Sequence, residues 1–163
     1  MGRKIVVTSG KGGVGKTTLT ASLGIAIAET GKKVVLVDAD IGLNNLDVVL
    51  AVENKVVYDV LDVISGKCRL KQALIQDVDN PTLYVLPSAK IQDSPLITAC
   101  SFRNVVDALA LNFDFVIIDC PAGIDNGFHR AVSAATEAIV VTTPHISAVR
   151  DADKVLSILS GYC

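Results

Sequence analysis

Residues 4–18, Lys-Ile-Val-Val-Thr-Ser-Gly-Lys-Gly-Gly-Val-Gly-Lys-Thr-Thr, constrain this chain more than any other stretch. An apolar run at 5–7 feeds a glycine-rich loop, and the loop feeds an apolar-periodic segment. Gly10, Gly15, Lys16 and Thr17 satisfy the phosphate-binding spacing G-x-x-x-x-G-K-[ST]. The residue types follow from the chemistry. Glycine lets the backbone turn sharply and bring N–H groups close to a phosphate chain. The helix behind the loop directs its positive dipole end at the same anion. A lysine at position 16 reaches the β- and γ-phosphates, and a hydroxyl at 17 ligates Mg²⁺. Strand, loop and helix in this order imply an α/β fold with a nucleotide-phosphate site.

The rest of the chain alternates strand and helix. The periodicity predicts a first helix over 17–30, with Leu19, Leu23, Ala26 and Ile27 on one face and Gly31 ending it. A β-branched run at 34–37 reads as a buried parallel strand. The segment Asp38-Ala-Asp-Ile-Gly-Leu-Asn-Asn-Leu-Asp47 follows it, where open α/β sheets bind ligands. On an extended backbone Asp38 and Asp40 point to one side, where paired carboxylates hold Mg²⁺ through water and position an attacking water. Short helices are expected over 58–64 and 70–75, a third strand over 83–86 and a helix over 102–111.

The strand expected at 113–118 ends in Asp119-Cys-Pro-Ala-Gly-Ile-Asp125, four apolar residues running into a carboxylate. That carboxylate suits the hydration shell of Mg²⁺. The tight Pro121-Ala122-Gly123 backbone offers an N–H to a γ-phosphate and so a way to sense hydrolysis. A further helix contains 131–135 and a fifth strand spans 138–143. Ser147 is a suitable cap for a last helix that buries Val149, Ala152, Leu156 and Leu159 and opens Arg150, Asp151, Asp153 and Lys154 to solvent. One domain, 1–163, with a mostly parallel sheet and helices on both faces, accounts for the whole pattern.

Lys11, Gly12, Gly13, Val14, Gly15, Lys16, Thr17 and Thr18 carry a second signal, a lysine directly after Gly10. Lys-Gly-Gly-Val-Gly-Lys-Thr-Thr resembles the deviant Walker A motif of the MinD/ParA ATPases. The segments at 38–47 and 119–124, and Val149-Arg-Asp-Ala-Asp153, extend the resemblance over the chain, nearest to the septum-site branch of that family. The resemblance implies an ATP-dependent homodimer switch that uses ATP and Mg²⁺. Lys11 would reach the partner's nucleotide, Asp40 would position water, and Thr17, Asp38 and Asp119 would surround Mg²⁺. A division inhibitor of the MinC type and a topological regulator of the MinE type would dock on the helix bearing Asp151 and Asp153. Many relatives carry arginine where Asn44 stands and often an acidic residue where His145 stands; the histidine reads most simply as solvated. Family members run on to an adenine-reading loop and an amphipathic membrane-binding helix, so this chain is expected to represent the N-terminal portion.

Composition narrows the function. Half the residues are apolar and 4% aromatic, so Val, Ile, Leu and Ala must build the core. A net charge of −2 gives no electrostatic reason to expect nucleic acid, which weighs against a DNA-partition role. A non-hydrolysing nucleotide-binding fragment is the other alternative. No apolar run approaches the roughly 20 residues of a membrane span. With no leader pattern ahead of the first strand, the expected location is cytoplasmic, or stromal for a plastid-encoded protein. Cys68, Cys100, Cys120 and Cys163 lack C-x-x-C spacing and are expected to be free thiols rather than cluster ligands.

Overall fold

The computed structural model describes residues 1–91 and 94–162; the thiol expected at Cys163 lies outside the described residues. The elements run β1 (Arg3–Thr8), α1 (Lys16–Ala28), β2 (Val34–Asp38), α2 (Asn45–Val49), α3 (Val60–Ile64), α4 (Leu70–Ala73), β3 (Ile75–Gln76), β4 (Leu83–Leu86), α5 (Ala99–Ala110), β5 (Phe115–Asp119), α6 (Asn126–Ala134), β6 (Glu137–Val140) and α7 (Ile146–Leu159). They form one six-stranded sheet in the order β3-β4-β2-β5-β1-β6. All pairings are parallel except β3 with β4.

The central strands are β-branched and buried on both faces, as a parallel sheet between helix layers requires. Val35, Val37, Val116 and Ile118 pack with Phe102, Leu109 and Phe128 under α5 and α6. Val34, Leu36 and Ile117 face the other way, with Ala21, Ala28 and Leu46. The expected buried face of α5, Val105, Val106, Leu109 and Ala110, is buried. Its helix starts earlier than expected, at Ala99, because Thr98 Oγ1 accepts from Ser101 N–H at 3.0 Å and caps it.

Five expectations need correction. α1 buries small residues, Ala21, Gly24 and Ala28, while Leu19 and Ala26 are exposed. The helix sits so close to the sheet that a Cβ at Gly24 would lie 2.6 Å from Leu36 Cδ2. The helix expected at 70–75 stops at Ala73, and Ile75–Gln76 pairs antiparallel with Val85 and Tyr84 as a sixth strand. α2 occupies part of a segment read only as a ligand loop. In α7 the buried residues are Ala148, Ala152 and Val155, whereas Val149 and Leu156 are 49% and 53% exposed. Ser147 lies inside α7, whose N-cap position is His145, with Val149 N–H donating to its carbonyl at 3.0 Å. Among the described residues no helix is long and apolar enough to cross a membrane.

Candidate nucleotide-phosphate site

β1 delivers the loop and α1 receives it. Gly13 and Gly15 take φ of 76° and 90°, left-handed values that favour glycine, and a Cβ at either would meet nothing within 4 Å. Gly15 occupies the N-cap position of α1, whose start carries no side-chain cap and no acidic residue in its first turn. The orphan N–H groups of that turn are therefore left for an anion. The cavity over them, about 360 Å³, is lined by Ser9, Gly12, Gly13, Gly15, Lys16 and Thr17, and further by Thr18, Asp40, Leu43, Asn45 and Ala122.

Beneath the loop sits a buried carboxylate. Asp119 is 0% exposed, accepts from Lys16 Nζ at 2.6 Å on Oδ1 and from Thr17 Oγ1 at 2.7 Å on Oδ2. Thr20, also buried, donates to the Lys16 carbonyl at 2.9 Å and lies 3.5 Å from Asp119 Oδ1. Register explains the convergence. Val7 pairs with Asp119 and Asp38 pairs with Asp119, so β5 brings the acid between the two strands whose loops carry Lys16 and Asp40.

Asp38 and Asp40 take different partners. The chain turns directly after β2, and Asp38 accepts from the N–H groups of Asp40 (3.0 Å) and Leu46 (3.1 Å). Asp38 thus caps α2 from outside the helix. Burial raises its pKa to about 7; the two N–H donors oppose that rise, and the Asp119 and Asp40 charges add to it. Asp40 is half-buried, accepts from Asn45 Nδ2 at 3.2 Å and reaches the cavity. Burial raises its pKa too, against the opposing pull of Lys16.

The remaining predicted residues lie around this centre. Lys11 is exposed, and its carbonyl accepts from Ser9 Oγ at 2.9 Å. Val14 is half-buried at the loop crest. Gly10 has another duty: a Cβ there would lie 2.5 Å from the Asp151 carbonyl oxygen, so α7 rests on the loop. Pro121 is half-buried, and Gly123 donates its N–H to the Ser9 carbonyl at 3.4 Å, leaving Ala122 as the residue of that turn that lines the cavity. Asp151 is half-buried, while Asp153 and His145 are exposed. Asn44 takes φ of 48°, a left-handed value that asparagine tolerates well.

Sequence reasoning singled out none of Ser9, Thr20 and Asn45, and named Ala122 only as part of the 121–123 turn. The first two precede or follow the loop motif without belonging to it, and only the amide pair at 44–45 gave a local signal. Among the described residues no group of three His, Cys, Asp or Glu is placed to hold a metal ion unaided. Thr17 and Asp119 supply one hydroxyl and one carboxylate, a hard-oxygen set suited to Mg²⁺ with phosphate oxygens completing the shell. Cys120, next to Asp119, is buried, and burial pushes its thiol up to about 12. Cys68 and Cys100 are likewise free.

The chain matches the family model described as an AAA domain over residues 2–160. It is 54% identical over 160 residues to the septum site-determining protein MinD of Bacillus subtilis, covering 98% of this chain and 60% of that protein. Its fold superposes on MinD of Pyrococcus horikoshii complexed with Mg-ADP with a TM-score of 0.88 at 38% identity, covering 99% of this chain and 66% of that one. The MinC:MinD cell division complex of Aquifex aeolicus gives a TM-score of 0.87 at 45% identity, covering 98% and 64%. The chain thus spans about 60% of the length of the curated relatives it matches. With the family model spanning nearly the whole chain and the fold superposing on MinD, the chain belongs to the MinD/ParA family of deviant Walker A P-loop proteins.

Proposed function

We propose that this chain is the phosphate-handling part of an ATPase that dimerises on ATP and helps place the division site by recruiting a division inhibitor. The observation that carries the reading is Asp119, which ties Lys16 and Thr17 together under an uncapped helix start. That arrangement suits a triphosphate. The loop N–H groups and Lys16 bind the β- and γ-phosphates, and the Thr17 hydroxyl with Asp119 would hold Mg²⁺. When bound, Mg²⁺ neutralises charge on the phosphate oxygens. Asp40, at the cavity wall, orients the attacking water, and its raised pKa suits a group that accepts a hydrogen bond in a partly dry site.

Lys11 stands exposed beside the cavity, as a cation that serves a second copy of the chain must. The exposed apolar residues Ile146, Val149 and Leu156 on α7, interleaved with Asp153 and Arg150, support a docking face for a MinC-type inhibitor and a MinE-type regulator. The similarity to the MinC:MinD cell division complex supports an inhibitor of the MinC type as a partner. Calorimetric titration with Mg²⁺·ATP, followed by light scattering of the complex, tests the reading. Saturable binding with one nucleotide per chain and a rise to dimer mass is expected. No binding at millimolar nucleotide would overturn it, and salt-sensitive binding to duplex DNA would favour a partition role.

A further inference from the structure

At the foot of the sheet, away from the phosphate cradle, lies a larger cavity of about 550 Å³, within the usual range for small-molecule sites of roughly 300–1,000 Å³. Lys33, just ahead of β2, and Phe113, just ahead of β5, line it, so it opens at the N-terminal ends of the strands. Leu70 and Leu74 form one wall and Ala108 and Leu109 of α5 the other. Tyr84 and Phe113 also line it, packed edge to face with centroids 5.4 Å apart. A second cavity of about 290 Å³ shares Leu70 and Ala108 and continues along α5 past Val63, Ile64 and Val105. The two cavities adjoin at these shared residues and form a trough along α5.

The polar groups of the main cavity are Lys33, Lys71, Gln76 and Asn112, with the Tyr84 phenol. Both lysines are exposed, and among the described residues neither takes part in an ion pair. Of the nearby carboxylates, Asp107 is paired with Lys4 at 2.7 Å, while Asp114 accepts from the Lys33 backbone N–H at 2.8 Å and keeps its charge. In the continuation, the Ser101 hydroxyl donates to the Leu96 carbonyl at 2.7 Å. Two exposed lysines outside any ion pair thus flank the apolar walls formed by Leu70, Leu74, Ala108 and Leu109.

We propose that this trough binds a single-chain amphiphilic anion, an unbranched acyl tail ending in a carboxylate, with the tail along α5 and the carboxylate at Lys33 and Lys71. Burying the tail removes apolar surface from water, and the ammonium groups give charge-assisted hydrogen bonds to the head. The polar groups gather in the main cavity, whereas its continuation past Val63, Ile64 and Val105 is lined mostly by apolar side chains, which suits an acyl tail there. The site uses no residue of the phosphate cradle, so its failure and a failure of nucleotide binding are separate results.

Calorimetric titration with dodecanoate below its micellar concentration tests the proposal. The expected result is saturable binding of one dodecanoate per chain, with dodecanol at least about tenfold weaker and dodecyltrimethylammonium not bound. The double variant Lys33→Ser/Lys71→Ser should weaken dodecanoate by at least about tenfold and leave dodecanol unchanged. Ala108→Trp, which fills the trough from a half-buried position, should abolish binding of both. Equal binding of the anionic and cationic amphiphiles, or unaltered dodecanoate affinity in Ala108→Trp, would overturn the site. Saturable binding of an acidic Glu/Leu amphipathic peptide with none of dodecanoate would overturn it in favour of a protein partner. These comparisons use the parent chain for the head-group contrast, so they stand even if the tryptophan variant folds poorly.

Discussion

Lys16 Nζ lies 2.6 Å from Asp119 Oδ1, an ion pair between a residue that opens a helix and one that ends a strand 103 positions away. The pair is nearly solvent-free on both sides, 9% and 0% exposed at the side chains. The proposed phosphate-binding lysine is therefore also part of the folded interior. Removing one member of a buried pair leaves a charge without compensation, which costs about 3–5 kcal/mol.

Lys16→Ala should accordingly lose stability by about that amount in urea unfolding without any nucleotide, as well as losing Mg²⁺–nucleotide binding in calorimetry. Thr17→Ala should lose nucleotide binding with a smaller stability change, because it deletes a neutral donor. Parental nucleotide affinity in both variants would rule out the assigned site.

Asp38 gives a pH signature. Its pKa is about 7 in the folded chain against an ordinary 3.8, so between those values the folded state holds the proton more tightly. Its contribution is fully present below about pH 4 and is lost as pH rises through 7, a change of roughly 4 kcal/mol. Asp38→Asn cannot titrate, so the gap in unfolding free energy between variant and parent should shift in the variant's favour from pH 4 to 8. Parallel pH profiles would show that the burial of Asp38 is not felt by its proton.

Asp40→Ala should bind Mg²⁺·ATP nearly as the parent does and hydrolyse it far more slowly. A group that orients water acts mainly in the transition state, so kcat falls more than affinity. Turnover within about twofold of the parent, worth only about 0.4 kcal/mol, would exclude that role.

Lys11→Ala tests the action across the dimer. A cation supplied in trans is worth roughly 10³ to 10⁵ in phosphoryl-transfer rate. In a polypeptide of the full length of the relatives, the variant should bind one nucleotide per chain, stay monomeric by light scattering and lose nearly all turnover. Lys11→Arg should restore only part of it, since a planar fork does not replace a compact ammonium. ATP-dependent dimers with parental turnover would make Lys11 an ordinary loop lysine.

Thiol chemistry should discriminate sharply between two cysteines. Cys100 is exposed, whereas Cys120 is buried with its thiol held near 12. At pH 8 iodoacetamide should modify Cys100 in the folded protein and Cys120 only after unfolding, because the thiolate is the reactive form. Peptide mass mapping of alkylated protein, with and without urea, reads this directly.

Local chemistry made the phosphate loop, the acid ending β5 and the alternating strand–helix pattern legible, because each rests on contiguous residues with strong preferences. Glycines at 13 and 15, a lysine and hydroxyl at 16 and 17, and β-branched runs at 34–37 carry their own geometry. What remained hidden depends on distant partners. α2 has as its cap acceptor Asp38, seven residues before its first residue, and β3 is two residues long and is a strand only because β4 presents an edge. The exposed face of α7 follows from its seat on Gly10, and periodicity alone favoured the wrong apolar stripe. Sequence marked Lys16, Asp40 and Asp119 as candidates for one phosphate site; the placing of β5 between β1 and β2 decided that they lie together. Side-chain preferences act over a few residues, but strand order is set by which buried faces can be covered together.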